Sequence, residues 1–218
     1  MSGTTRARGA GTKGVPRADR EDQILRAAAE TFGLQGYAAT SVADVAARAG
    51  ISKPLVYAYF GSKEGLLTAS LHHSGAILVD EIERIAVSGV VGLERALRTL
   101  EGIFGLLEEQ PWLWRLFFDA TVPRTDESVA AELAFYTDRI TALAHDGVSE
   151  MLALGGNTDP TDVSAMTAVW MGIVDSLVNW WLDHPDESAA AMTERSVRLF
   201  VAALAVPLPE SVQPALRA

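Results

Sequence analysis

Residues 40–63 read TSVADVAARAGISKPLVYAYFGSK, and the punctuation of this stretch decides the fold. Ser41 precedes Val42, Val45 and Ala46, with Asp44 three residues after it; a hydroxyl followed at that distance by an acid is a variant of the capping box that opens a helix. Gly50 can take the left-handed conformation that closes one, and Ile51 plugs the turn behind it. Ser52 is placed to cap a second helix, Lys53 to Phe60. Pro54 is tolerated there because first-turn amides have no intrahelical partner. Ala46, four residues before Gly50, is small enough for the second helix to cross closely over the first. Two short helices, a glycine turn and a polar cap make a helix-turn-helix.

A helix lying in the major groove reads base edges with its outward face. In the second helix Val56 and Phe60, four apart, are expected inward. Lys53, Leu55, Tyr57 and Tyr59 are then expected outward, with Ser52 at the helix start in the same set. Lys53 can donate to guanine O6 and N7, and Pro54 and Leu55 can touch a thymine methyl. Thr40 or Ser41 at one helix start and Lys63 at another are the expected phosphate contacts, helped by the partial positive charge of those helix ends. Lys53 and Lys63 taken singly would pass for solvated surface charges, and the paired tyrosines for core under a further element; the spacing of the whole set favours DNA.

Working outward, the charge is distributed to match. Residues 1–63 hold nine Lys/Arg and five Asp/Glu, residues 64–218 nine and 23, so +4 and −14 make up the net −10. The basic surplus coincides with the helix-turn-helix, as a phosphate-facing module requires, and the acidic remainder would repel a duplex. Residues 1–18 carry Arg6, Arg8, Lys13 and Arg17 with no acid, and are expected as a disordered basic arm; a solvated tail and an arm that touches DNA both remain open. There is no cysteine, which excludes disulfides and thiolate chemistry. No apolar run reaches the roughly 18 residues of a membrane span, and no apolar signal core opens the chain, so a soluble cytoplasmic protein with no membrane partner is expected.

The rest reads as helix, with no sustained alternation and no hairpin signal. Residues 19–34 form an amphipathic brace on Ile24, Leu25, Ala28 and Phe32, and Ser62 caps a helix running from Lys63 towards Val87. Further helices are expected over 90–109, 112–120, 126–154, 161–183 and 187–206, the last stopped by Pro207 and Pro209. The expected division is an arm (1–18), a helix-turn-helix domain (19–65), a helical effector-binding and dimerisation domain (66–206) and a tail (207–218). One DNA head offers few contacts, so a dimer on two half-sites about 34–36 Å apart is expected. Its surface is expected on the last two long helices, from the stripes Trp170, Val174, Leu177, Trp181 and Val197, Phe200, Val201, Leu204. Packing of these stripes inside one subunit is the alternative.

The segment from Asp22 to Leu67 resembles the DNA-binding domain of TetR-family transcriptional regulators. The resemblance is carried by Ile24, Leu25, Ala28 and Phe32, then Gly36-Tyr37, Thr40-Ser41-Val42 with Asp44-Val45-Ala46, Ala49-Gly50-Ile51-Ser52, Val56-Tyr57, Tyr59-Phe60, Lys63-Glu64 and Leu66-Leu67. It spans roughly a fifth of the chain. Pro54 departs from it, standing where the family often has glycine. The resemblance implies that Tyr57 and Tyr59 use ring and hydroxyl against DNA, that the dimer is a four-helix bundle, and that repression is the usual outcome. It also implies an effector pocket in the middle helices. The apolar residues available for it are Phe104, Leu107, Trp112, Trp114, Phe117, Phe118, Phe135, Tyr136 and Trp170. Asp175, Asn179, Arg115 and His145 could supply polar contacts, which together suit a hydrophobic small molecule. For any one aromatic, ordinary core is the plainer role. No cofactor is expected. An enzyme is disfavoured, because no HExxH, phosphate loop or nucleophile elbow is present and His72-His73 point about 100° apart on a helix. A helix-turn-helix regulator without a small-molecule effector, controlled by a protein partner or by nothing, is the other reading.

Overall fold

The computed structural model describes residues 15–204, and the basic residues before 15 and the tail lie outside them. Nine α-helices and no strand occur among the described residues: α1 Arg17–Gln35, α2 Val42–Arg48, α3 Lys53–Phe60, α4 Lys63–Ala86, α5 Gly92–Glu109, α6 Trp112–Phe118, α7 Glu127–Leu154, α8 Pro160–Leu182 and α9 Ala189–Leu204. The protein is all-α. Its helices fall into two compact units. One, the head, takes the chain up to Ser74 together with Trp112–Leu133; the other, the body, takes Gly75–Pro111 and the chain from Ala134 on. The expected cut at 65/66 therefore differs from the packing: α4 is shared between units, and α6 belongs to the head.

The head forms around α1. Ile24, Ala28 and Phe32 stand four apart and are fully buried, whereas Leu25, off that line, is only half-buried. Val45, Val56, Leu66, Leu67, Leu71, Leu116 and Val129 close the core around them. A 7-residue helix such as α2 is too short to persist alone. Its start is held by the reciprocal capping box: Ser41 Oγ accepts from Asp44 N–H, and Asp44 Oδ2 accepts from Ser41 N–H at 2.8 Å. Its end is held by Gly50 at φ +65° and by Ile51 N–H donating to Ala46 O at 3.0 Å. Gln23 Nε2 reaches from α1 to Ala49 O at 2.8 Å, fixing the same turn to the brace.

α6 joins the head through a close approach. A Cβ on Gly33 of α1 would stand 2.6 Å from Trp112 Cβ, so only glycine admits the second helix. Beyond α6, Asp119 Oδ2 accepts Tyr37 N–H at 2.5 Å and Thr121 Oγ1 accepts Ala38 N–H at 3.0 Å. These two bonds satisfy backbone donors of the α1–α2 loop that have no helical partner.

The body is built from the rest of α4 and α7 with α5, α8 and α9. Leu100, Phe104 and Leu107 of α5 are fully buried at helical spacing, and α5 packs along α9. Arg95, largely buried, is neutralised by Glu150 at 2.6 Å. No helix among the described residues is long and apolar enough to cross a membrane.

Candidate nucleic-acid interface

α3 has one fully buried residue, Val56. Lys53, Pro54, Tyr57 and Ala58 are exposed, and Leu55 is half-buried. Lys53 Nζ lies 5.7 Å from the Tyr57 ring centre, so cation and aromatic share one outward face; Tyr57 is 40% exposed. Ser52 occupies the N-cap position in extended backbone, but its hydroxyl makes no capping bond, unlike the expectation. Being exposed, it presents that hydroxyl outward beside Lys53. Ser62 does cap α4, accepting Gly65 N–H at 2.9 Å.

Four expected contacts are placed differently. Thr40 is 2% exposed, and its hydroxyl donates to Gly36 O at 2.8 Å, satisfying a carbonyl left open at the end of α1. It holds the loop and is turned away from any phosphate. Ser41 is exposed, but its hydroxyl donates to Asp44 Oδ2 at 2.6 Å, and that bond is the main cause holding the Asp44 carboxyl below its usual range. Tyr59 is half-buried against the head core, with the Arg17 guanidinium 5.3 Å from its ring centre. Lys63 Nζ donates to Tyr37 O at 2.6 Å and sits 4.0 Å from the centre of the Tyr37 ring. One of its three donors is thus used inside the fold. Sequence spacing could not show the partners of Lys63 and Tyr59, which lie 26 and 42 positions away along the chain.

Tyr37 is the hub beneath this face. Its phenol donates to Glu64 Oε1 at 2.7 Å. Burial, then the Glu64 hydrogen bond and charge, push its ionisation well above the ordinary tyrosine range. The same hydrogen bond lowers the Glu64 carboxyl. Burial alone would raise the Asp119 carboxyl, but N–H donation from Tyr37 and Thr121 outweighs it and the net shift is downward. Asp119 and Thr121 are the residues the sequence reading missed, and Arg17, named there only as part of the basic arm, was not expected beside Tyr59. An Asp two positions before a Thr signals a local turn, which Asp119 does make, but nothing in it announces a partner 82 residues away.

This head matches known proteins. The family model described as bacterial regulatory proteins, tetR family, matches residues 24–69, which run from the brace through the recognition helix into α4. The HTH-type transcriptional activator FasR of Mycolicibacterium smegmatis is 30% identical over 180 residues, covering 82% of this chain and 80% of that protein. The chain belongs to the TetR family. It is a transcriptional regulator of that family, whose relatives are named as regulators and not as enzymes. A transcriptional repressor of Mycobacterium tuberculosis is 37% identical over 120 residues, covering 51% of this chain and 63% of the repressor. Among solved structures, a TetR-like regulator from a Rhodococcus species superposes with a TM-score of 0.69 at 25% identity, covering 89% of this chain and all of the other. FadR from Bacillus subtilis, solved in complex with stearoyl-CoA, superposes with a TM-score of 0.67 at 18% identity, covering 82% and 96%, a likeness of fold.

The TetR-family body departs from the sequence expectations in two ways. First, the pocket set is divided. Trp112, Trp114, Phe117 and Phe118 lie in the head, where Trp112 and Phe117 pack against its core and Trp114 stacks on Phe118 at 4.8 Å. Phe104, Leu107, Tyr136, Trp170 and Asp175 lie in the body. Of these, Phe104, Leu107 and Tyr136 are core, the Tyr136 ring lying 2.4 Å from where a Gly75 Cβ would stand. Asp175 accepts from Asn179 Nδ2 at 2.8 Å. Phe135, by contrast, is exposed. A cleft of about 360 Å³ in the body is lined by Arg84, Ile85, Ser88, Arg98, Glu101 and Gly102, none of them expected there.

Second, the dimer stripe on α8 faces inward. Val174 and Trp181 are buried, the Trp181 ring meeting Phe104 edge-on at 5.3 Å while its indole N–H donates to Glu187 O at 2.7 Å. Trp170 and Phe200 approach to 6.3 Å within the subunit, and Leu177 and Val197 are half-buried. Val201 is exposed as expected, and the side chain of Leu204 lies outside the described residues. The large apolar side chains that α8 leaves exposed are Met166, Val169 and Trp180. α8 is apolar on more than one face, so two stripes fit its sequence and periodicity alone does not choose between them.

Proposed function

We propose that this regulator binds a palindromic operator as a homodimer, reads it with Lys53, Pro54 and Tyr57, and is released by a hydrophobic small molecule. The observation that carries the DNA contact is the face of α3. Val56 anchors the helix, and a cation, an exposed aromatic and a free hydroxyl are left together on its outer side. Leu55 and the edge of Tyr59 flank that face, and phosphates fall to Ser41, to the start of α4 at Lys63 and to the helix-end amides. Two copies joined through the exposed sides of α8 and α9 supply the two half-sites. Such a protein works where the DNA is, in the cytoplasm.

Its relatives include a named activator and a named repressor. Repression is the sign we propose, by blocking a promoter that overlaps the operator. For the effector, a long-chain acyl-CoA is the first compound to test, since FadR of the same fold holds stearoyl-CoA. Tenfold weaker operator binding requires about 1.4 kcal/mol of coupling between the two sites. The packing of α6 into the head gives an effector that moves α6 a direct purchase on the recognition helices. The rival is a regulator without an effector, favoured by the full burial of Phe104 and Leu107 in core.

Selection of bound fragments from random duplexes is expected to yield a palindrome. Stearoyl-CoA is expected to raise the melting temperature and release that palindrome. Recovery of no consensus at low salt sinks the operator reading. A recovered consensus that no acyl-CoA or apolar compound releases leaves the rival.

A further inference from the structure

We propose that Arg20 and Gln23 are positioning residues for operator reading: the Arg20 guanidinium orients the amide of Gln23, and that amide holds the turn from which α3 departs. This rests on the operator reading and extends it to two residues of the brace helix outside the reading face. Arg17, Arg20 and Gln23 stand three apart on α1, so each neighbours the next on the helix surface. The Arg17 guanidinium lies 5.3 Å from the Tyr59 ring centre on α3, and Gln23 Nε2 donates to Ala49 O at 2.8 Å. Glu30, two turns beyond Gln23, pairs with Arg48 of α2. This polar stripe therefore runs along both helices of the reading unit.

Arg20 stands out on it. It is 7% exposed, and among the described residues it forms no ion pair. Its side-chain bond there is to a neutral group, Nη1 donating to Gln23 Oε1 at 2.7 Å. Arg95 in the body, 9% exposed, shows the ordinary arrangement, with the Glu150 carboxylate at 2.6 Å. A buried cation beside a neutral amide costs stability, so packing alone does not account for the arginine. Orientation does. A glutamine amide has an acceptor at one end and donors at the other, whereas a guanidinium donates and cannot accept. Arg20 thus draws Oε1 to itself and leaves Nε2 facing Ala49 O. Without it the amide can turn and set its oxygen against that carbonyl. Ala49 follows directly on α2, and only Gly50, Ile51 and Ser52 separate it from Lys53, so a shift at Ala49 O reaches the start of α3.

The test compares the full chain with Arg20→Met, Gln23→Leu, Gln23→Glu and the double variant Arg20→Met, Gln23→Leu. Each is titrated with the palindrome selected from random duplexes and with a random-sequence duplex pool, and each is melted. Arg20→Met is expected to weaken palindrome binding about tenfold, the scale of one base contact. Random-pool affinity and its salt dependence are expected to stay the same, since no phosphate contact is removed. The melting temperature is expected to hold or rise, because methionine fills the space without an unmatched charge. Gln23→Leu is expected to match this loss, and the double variant to lose no more than the larger single loss, because both act through the one bond to Ala49 O. Gln23→Glu gives Arg20 a carboxylate but no donor for Ala49 O. It is expected to keep its melting temperature and still lose palindrome affinity, whereas Arg20→Lys, which keeps a donor, recovers part of it. Parental palindrome affinity in Arg20→Met overturns the inference, as do losses that add in the double variant. Melting temperatures that fall in step with palindrome affinity mark a packing role and overturn it too. A salt slope shallower by about 0.9 in Arg20→Met places the guanidinium on a phosphate and overturns the positioning role. A parent that selects no palindrome overturns the operator reading, and this inference with it.

Discussion

α3 and α8 both leave apolar atoms on the surface, and the difference lies in what accompanies them. On α3 the exposed Tyr57 stands with Lys53, an uncapped Ser52 hydroxyl and no acid. On α8 the exposed Met166, Val169 and Trp180 belong to a helix with two aspartates and no Lys or Arg. The first face offers donors and positive charge to a wet, anionic partner. The second offers little except area, and the partner that matches it is another apolar surface, which we propose to be a second copy of α8. What an exposed hydrophobic face binds is decided by its polar companions.

The largest effect that would break this comparison is a charge on α8. Val169→Glu buries two unpaired carboxylates across a two-fold axis, at about 3–5 kcal/mol each. A monomer at micromolar concentration and loss of operator binding are expected, measured by sedimentation equilibrium and fluorescence anisotropy. A stable dimer of this variant moves the interface elsewhere. Next, Lys53→Ala with Tyr57→Ala removes base contacts contributing about 1–3 kcal/mol each, so a drop of ten- to several-hundred-fold for the selected palindrome is expected, with dimerisation unchanged. Unchanged operator affinity would contradict the assignment of the reading face.

A smaller effect sharpens the role of the loop under α3. Asp119 has a folded ionisation below its ordinary value, so its stabilisation is present above the unfolded carboxylate range near pH 4 and is lost as pH falls through the folded value. Asp119→Asn is expected to flatten that acid limb of the melting temperature and to cost about 1 kcal/mol or less at neutral pH, the group being half-exposed. Melting curves from pH 3 to 7 check it. The smallest effects separate two serines that look alike in sequence. Ser41→Ala removes a made capping bond and is expected to cost about 1 kcal/mol in chemical unfolding, whereas Ser52→Ala removes none and is expected to leave stability within about 0.5 kcal/mol while weakening DNA binding. Equal losses of stability would show that Ser52 caps after all.

The helix-turn-helix was legible because its signals are local. Ser41 with Asp44, Gly50 and the four-residue spacing of Ile24, Ala28 and Phe32 act over one or two helical turns, and each does in the fold what the sequence announces. The site was legible where a residue has no distant partner: Lys53, Pro54 and Tyr57 are outward, while Tyr59 and Lys63 are claimed by Arg17 and Tyr37, 42 and 26 positions away. The α8 stripe turned inward for a related reason: the helix is apolar on more than one face, and such a pattern does not fix which stripe meets the core.

The sequence by itself determined the number and placement of the helices, the DNA-reading head and the segregation of positive charge towards it, because capping, periodicity and net charge act over short distances or need no geometry. Only the tertiary structure decided that α6 belongs to the head, which side chains of α8 the subunit leaves exposed and that Arg17 stands beside Tyr59. Those facts depend on contacts between segments tens of residues apart, and on a clearance such as that at Gly33, which no local pattern encodes.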